Sequence, residues 1–203
     1  MNISATILAA GSSKRMEGAN KLLLPYKGQA LIKTVSQNLI SSRLDPVFII
    51  TGFDYKKIHK NIPSAINNII YNKDWSSGIS KSIILAISSL PDNIDGNMFV
   101  LGDMPLITVK TLNKLKSAFK MNNGEKIIYA EYFGSQANPV IFPKKYFRKI
   151  LLLKGDRGCR RCLGVDGVQA RSQGRTGAED QGSALCLPWG DRQVHRPPPC
   201  SLR

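Results

Sequence analysis

Short, nearly unbroken apolar runs alternate along the chain with segments whose apolar residues recur every three or four positions. This alternation limits the possible folds more than any other feature. Ile3–Ala10 is such a run and stops at Gly11; Val47–Thr51, Asn67–Tyr71 and Asn97–Leu101 are others, with Lys126–Tyr132 and Pro139–Phe142 further along. Each has strand length, and a strand buried on both faces reads as a continuous apolar run. Between them, Ala30–Ile40 places Leu31, Val35 and Leu39 on one helical face, and Ser77–Leu90 repeats Ile79, Ile83, Ile87 and Leu90 before Pro91. Thr108 is the expected N-cap of a helix carrying Val109, Leu112, Leu115 and Phe119, and Lys144–Leu153 is the last helical segment. Strands alternating with helices predict a three-layer α/β domain around a mostly parallel sheet. Ligands of such sheets bind beyond the C-terminal strand ends, where Gly11 and Asp103 should both stand.

The pattern stops near residue 155. Residues 1–154 carry 18 Lys, 21 Ile and 13 Asn; the remainder carries 8 Arg, none of those three types and all four cysteines. Lys, Ile and Asn use AT-rich codons, whereas Gly, Arg, Ala and Pro use GC-rich ones, so the tail reads as foreign or misjoined coding sequence. Residues 161–203 are expected to be a disordered Gly/Arg/Pro/Cys-rich tail that adds nothing to the fold, because such sequence buries little apolar surface against its ordering entropy. Cys159-x-x-Cys162 is half a zinc pattern that the wide spacing of Cys186 and Cys200 does not complete.

A formal charge of +15 raises the question of nucleic acid, but the lysines are scattered and no basic run alternates with aromatics into a stacking platform. No nucleic-acid partner is expected. No apolar run approaches the roughly 20 residues of a membrane span, and the N-terminus lacks the basic and apolar regions of a secretory signal. A cytoplasmic location, with no membrane partner and with reduced thiols, follows.

Three constellations carry candidate chemistry. The first is Leu8-Ala9-Ala10-Gly11-Ser12-Ser13-Lys14-Arg15-Met16, followed by Asn20-Lys21. A small-residue turn after a buried strand lets backbone N–H groups approach phosphate oxygens, and Arg15 and Lys21 can neutralise a triphosphate. No Gly-Lys-Ser/Thr closes it as a Walker loop would, and such a turn can also simply end a strand. The second is Leu101-Gly102-Asp103-Met104-Pro105, where a carboxylate can hold a Mg²⁺ that bridges phosphate oxygens or can serve as an ordinary turn residue. In the third, Asp74–Ser82, N–H groups and hydroxyls at a helix start can meet a base edge or only cap the helix. His59 and His195 are isolated and receive no role.

Taken in order, Leu8–Met16, Asn20-Lys21-Leu22-Leu23, Asn72–Ser82, Gly102-Asp103-Met104-Pro105 and Asn138-Pro139-Val140 resemble the molybdenum cofactor cytidylyltransferase branch of the MobA-like NTP transferase family; Gly155-Asp156-Arg157-Gly158 resembles a further turn of it. The resemblance covers about residues 3–160. It implies a Rossmann-like nucleotidyltransferase fold over 1–160, lacking its C-terminal part. The implied reaction is transfer of CMP from CTP to a molybdopterin-type acceptor with release of pyrophosphate, assisted by Mg²⁺. A molybdoenzyme or its chaperone would be the partner downstream. Carried over by position, Ala9, Ala10, Gly11, Ser12 and Ser13 border the nucleotide, and Arg15 and Lys21 hold phosphates. Gly102 lies beside the site, Ser80 and Ser82 near the base, and Asp103 on the metal. The guanylyl-transferring branch has Gly-Gly where this chain has Ala10-Gly11, and Asp-Lys where it has Asn20-Lys21, which favours CTP. The chain lacks the family's C-terminal Asp-x-Asp-Thr-Pro-Glu-Asp-like segment and the second metal-binding carboxylate it supplies. Two rival readings stay open: a guanylyl- or sugar-phosphate-transferring enzyme of the same fold, and a nucleotide- or cofactor-binding protein with impaired catalysis.

Overall fold

Strand β1, Ile3–Ala9, is the axis of the sheet. It pairs in parallel with β4 (Val47–Thr51) on one side and with β6 (Gly96–Leu101) on the other; β5 (Asn68–Tyr71) continues in parallel beyond β4. The computed structural model describes residues 1–13, 19–132, 135–153 and 184–188. Beyond β6 the chain lays β8 (Ser135–Pro143) antiparallel, then β7 (Ile127–Tyr132) antiparallel to β8, with β9 (Ala184–Pro188) outermost, so that the order is β5-β4-β1-β6-β8-β7-β9. A two-strand ribbon, β2 (Pro25–Tyr26) and β3 (Gln29–Ala30), stands apart.

The period of two along the central strands assigns each residue to one of two cores. Ile7, Ile49, Met98 and Val100 face a cluster with Ile32, Val35 and Leu39 of α1 (Leu31–Ser41), Ile58 of α2 (Tyr55–His59) and Leu112, Leu115 and Phe119 of α4 (Val109–Met121). Ile50, Phe99, Val140 and Phe142 face the other cluster, with Ile83 and Ile87 of α3 (Ile79–Ser88) and Ile150 of α5 (Phe147–Leu151). This is the three-layer architecture that the alternating pattern predicts. The expected cap is present: Thr108 Oγ1 accepts from the Thr111 N–H at 3.2 Å. No helix among the described residues is long and apolar enough to cross a membrane.

The expected helix over Ser77–Leu90 begins later, at Ile79. Trp75–Ser77 forms a 3₁₀ turn, and Gly78 at φ 106° and ψ 168° redirects the chain before the helix. Such a backbone conformation is open essentially to glycine alone.

Of the tail expected to be disordered, five residues are described. Ala184–Pro188 forms β9, parallel to β7, with Ile127 opposite Ala184 and Glu131 opposite Pro188. This is the longest apolar stretch of the tail, and the outer side of β7 offers a row of backbone donors and acceptors that a second neighbour can pair. The rest of the tail, with Cys159 and Cys162, lies outside the described residues. Among the described residues, Leu153 is the last member of either hydrophobic cluster.

Candidate functional site

The connection after β1 runs through α1 on one face of the sheet, and the connection after β5 runs through α3 on the other. Helices leaving to opposite faces open a crevice beyond the C-terminal ends of β1 and β6, as doubly wound sheets do at the point where strand order reverses. A cavity of about 480 Å³ occupies this crevice, within the ordinary range for small-molecule sites.

One wall is the loop after β1. Leu8, Ala10, Gly11, Ser12 and Ser13 line the cavity. Among the described residues, its two chain neighbours aside, no heavy atom lies within 4 Å of the place a Gly11 side chain would occupy, so the backbone there is open to a ligand. Ala9 is 1% exposed and packs into the α1/α4 core instead, because strand alternation turns it away from the face of Leu8 and Ala10. Arg15 and Lys14 lie outside the described residues.

The floor holds the charges. Lys21 Nζ stands 3.0 Å from Asp103 Oδ2, with the side chains 48% and 33% exposed. Two neighbours fix the turn that presents Lys21. Ser13 Oγ accepts from the Lys21 N–H at 3.1 Å, which ties the loop after β1 to the lysine. Asn20, 4% exposed, accepts from the Leu22 N–H at 3.0 Å and donates to the Phe53 carbonyl at 3.3 Å. Asn20 thus shapes the Lys21 turn from behind. Asp103 follows Gly102 beyond the end of β6, and the Gly102 N–H donates to the Leu8 carbonyl at 3.1 Å, which joins the two strand ends.

The facing wall is the turn before α3 together with its first turn: Trp75, Ser76, Gly78, Ile79 and Ser82. The Trp75 ring leans on Phe53 with centroids 5.6 Å apart. Ser82 lines the cavity, whereas Ser80, 1% exposed, is not part of the wall. Trp75 and Gly78 fall inside the Asp74–Ser82 run, but reading the sequence alone does not single them out. An aromatic and a glycine immediately before an amphipathic helix were the signal that would have found them.

The arrangement suits a polyanion bearing a flat group. An open backbone loop and a partly exposed lysine attract phosphate, and the facing wall offers an aromatic ring and hydroxyls. Asp103 adds one carboxylate on the same floor. Mg²⁺ usually takes only one or two protein carboxylates, the remaining positions being filled by water and substrate phosphates, so this donor set fits such an ion. Among the described residues no group of three or more His, Cys, Asp or Glu side chains is assembled for a metal.

Comparison with known proteins agrees in kind. The sequence profile of the MobA-like NTP transferase domain matches residues 5–173, reaching past the composition break. The purine catabolism protein PucB of Bacillus subtilis is 30% identical over 165 residues, covering 77% of this chain and 78% of that protein. Nicotine blue oxidoreductase of Paenarthrobacter nicotinovorans is 28% identical, covering 56% of this chain and 55% of the relative. Among solved structures, Rv0371c of Mycobacterium tuberculosis superposes with a TM-score of 0.75 at 20% identity, covering 93% of this chain and 89% of that one. The last is a likeness of fold.

Proposed function

This chain belongs to the MobA-like NTP transferase family, and from that premise we propose that it transfers CMP from CTP to the terminal phosphate of a molybdopterin-type acceptor. The observation that carries the proposal is the meeting of Lys21 and Asp103, 3.0 Å apart, on the floor of a cavity walled by an open backbone loop and by Trp75 and Ser82.

The chemistry asks for little from side chains. An oxygen of the acceptor phosphate attacks the α-phosphorus of CTP, the bond to the α–β bridging oxygen breaks, and pyrophosphate leaves with that electron pair. The loop backbone over Gly11–Ser13 and Lys21 hold the β- and γ-phosphates, against which negative charge grows as the bond breaks. Asp103 would hold Mg²⁺, which supplies positive charge against the phosphate oxygens when bound. The Lys21–Asp103 pair supports this reading, since it puts one cation and one carboxylate on the same floor. The wall of Trp75, Ile79 and Ser82 holds the base and ribose.

Ala10 lines the cavity, and its methyl takes room that a glycine would leave free. That favours the smaller pyrimidine and agrees with the Ala10-Gly11 pair as a mark of the cytidylyl branch. Isothermal titration with the four NTPs in Mg²⁺ is expected to rank CTP first, by about tenfold over GTP and ATP, equivalent to 1.4 kcal/mol. GTP binding as tight as CTP binding would move the chain to guanylyl transfer.

A further inference from the structure

Asn72, the residue after β5, is only 4% exposed, and both ends of its side-chain amide are committed. Its Oδ1 accepts from the Asp74 backbone N–H at 3.0 Å. A backbone N–H can only donate, so this bond fixes which end of the amide is oxygen. The Nδ2 end therefore points the other way, and it donates to Ser82 Oγ at 2.9 Å. Ser82, 3% exposed, stands on the cavity wall in the first turn of α3.

A serine hydroxyl has one proton to give and lone pairs to receive. Asn72 occupies the receiving side. Among the described residues Ser82 Oγ has no bond in which it donates. A buried donor left without an acceptor is costly, and Ser82 borders the cavity, where a ligand can supply one.

We propose that Asn72 is a positioning residue for specificity: it holds Ser82 as a hydrogen-bond donor into the cavity, so the site selects a base edge presenting an acceptor, the 2-oxo group or N3 of a pyrimidine. A base edge that presents N–H groups there, as the N1–H and amino group of guanine do, sets donor against donor. This inference rests on the nucleotidyltransferase reading and adds a rule for which base fits.

Asn72→Asp tests the direction of the bond. One carboxylate oxygen still accepts from the Asp74 N–H, while the other draws the Ser82 proton away from the cavity. Calorimetry would use CTP, UTP and inorganic tripolyphosphate, the last carrying the charge without a base. The variant is expected to bind CTP about tenfold more weakly with tripolyphosphate affinity unchanged, a split that a merely structural or electrostatic role does not produce. An equal loss with UTP places the acceptor at the 2-oxo group; a loss with CTP alone places it at N3, since uracil carries a proton there. Ser82→Ala should weaken CTP by a similar factor, and Asn72→Asp should add nothing in that background. If the buried carboxylate prevents folding, Ser82→Ala decides alone. Unchanged CTP affinity in Ser82→Ala, or parallel losses for CTP and tripolyphosphate in either variant, would overturn the inference. Wild-type protein that binds tripolyphosphate but no nucleotide would instead overturn the nucleotidyltransferase reading.

Discussion

Asp103→Asn is expected to lower turnover by about a hundredfold or more while the thermal midpoint stays nearly constant. The size follows from removing a full charge where charge develops on transferred phosphates, which typically costs 10²–10³ in rate. The constancy follows from the surroundings. Asp103 and Lys21 are both partly exposed, and pairs of that kind contribute roughly 0–1 kcal/mol to stability. Asparagine keeps the volume and can still accept from Lys21 Nζ through its oxygen. A charge with little structural value and a large effect on rate marks a functional group. Steady-state pyrophosphate release, run beside differential scanning calorimetry, separates the two quantities. Near-normal turnover would make Asp103 a turn residue before Pro105 and remove the proposed metal position.

Gly52→Ala is expected to be the most damaging small substitution near the site. Gly52 follows β4, and an added Cβ would stand 2.5 Å from Trp75 Cβ and 2.7 Å from the Ala10 carbonyl oxygen. Neither atom is the far end of a flexible side chain. The methyl must push the loop after β1 or the turn bearing Trp75, and these are opposite walls of the cavity. Overpacking of this kind costs about 1–3 kcal/mol. For a chain of this size that corresponds to a fall in thermal midpoint of roughly 2–12 °C. CTP affinity should fall too, since Ala10 and Trp75 both move. A midpoint within 1 °C of wild type, with unchanged CTP binding, would mean that the packing between β4 and the two walls is looser than these distances state.

Much of the fold was legible because its central strands are buried on both faces. Ile3–Ala10, Val47–Thr51 and Asn97–Leu101 are apolar along most of their length, and each appears as a strand within a residue of its expected place. The antiparallel direction of β8 was not legible, since a short apolar run such as Pro139–Phe142 reads alike both ways; its partners decide. The first half of β8 and the five residues of α2 carry too few apolar positions to announce themselves; in α2 only Ile58 is buried. At the site, the resemblance located Lys21 and Asp103, but their approach across the fold is a tertiary fact. Strand parity could have separated Ala10 from Ala9 in advance, as Gly11 marks where the strand ends. The hydrogen-bond direction at Ser82 could not be read from sequence, because it depends on where the Asp74 N–H meets Asn72.

The most direct measurement is pyrophosphate release from CTP in the presence of Mg²⁺ and a molybdopterin acceptor, with each omitted in turn. Release is expected to require all three and to give a product carrying CMP on the acceptor phosphate. CTP bound without pyrophosphate release, in protein that is folded by calorimetry, would contradict it and leave a nucleotide-binding protein in place of an enzyme.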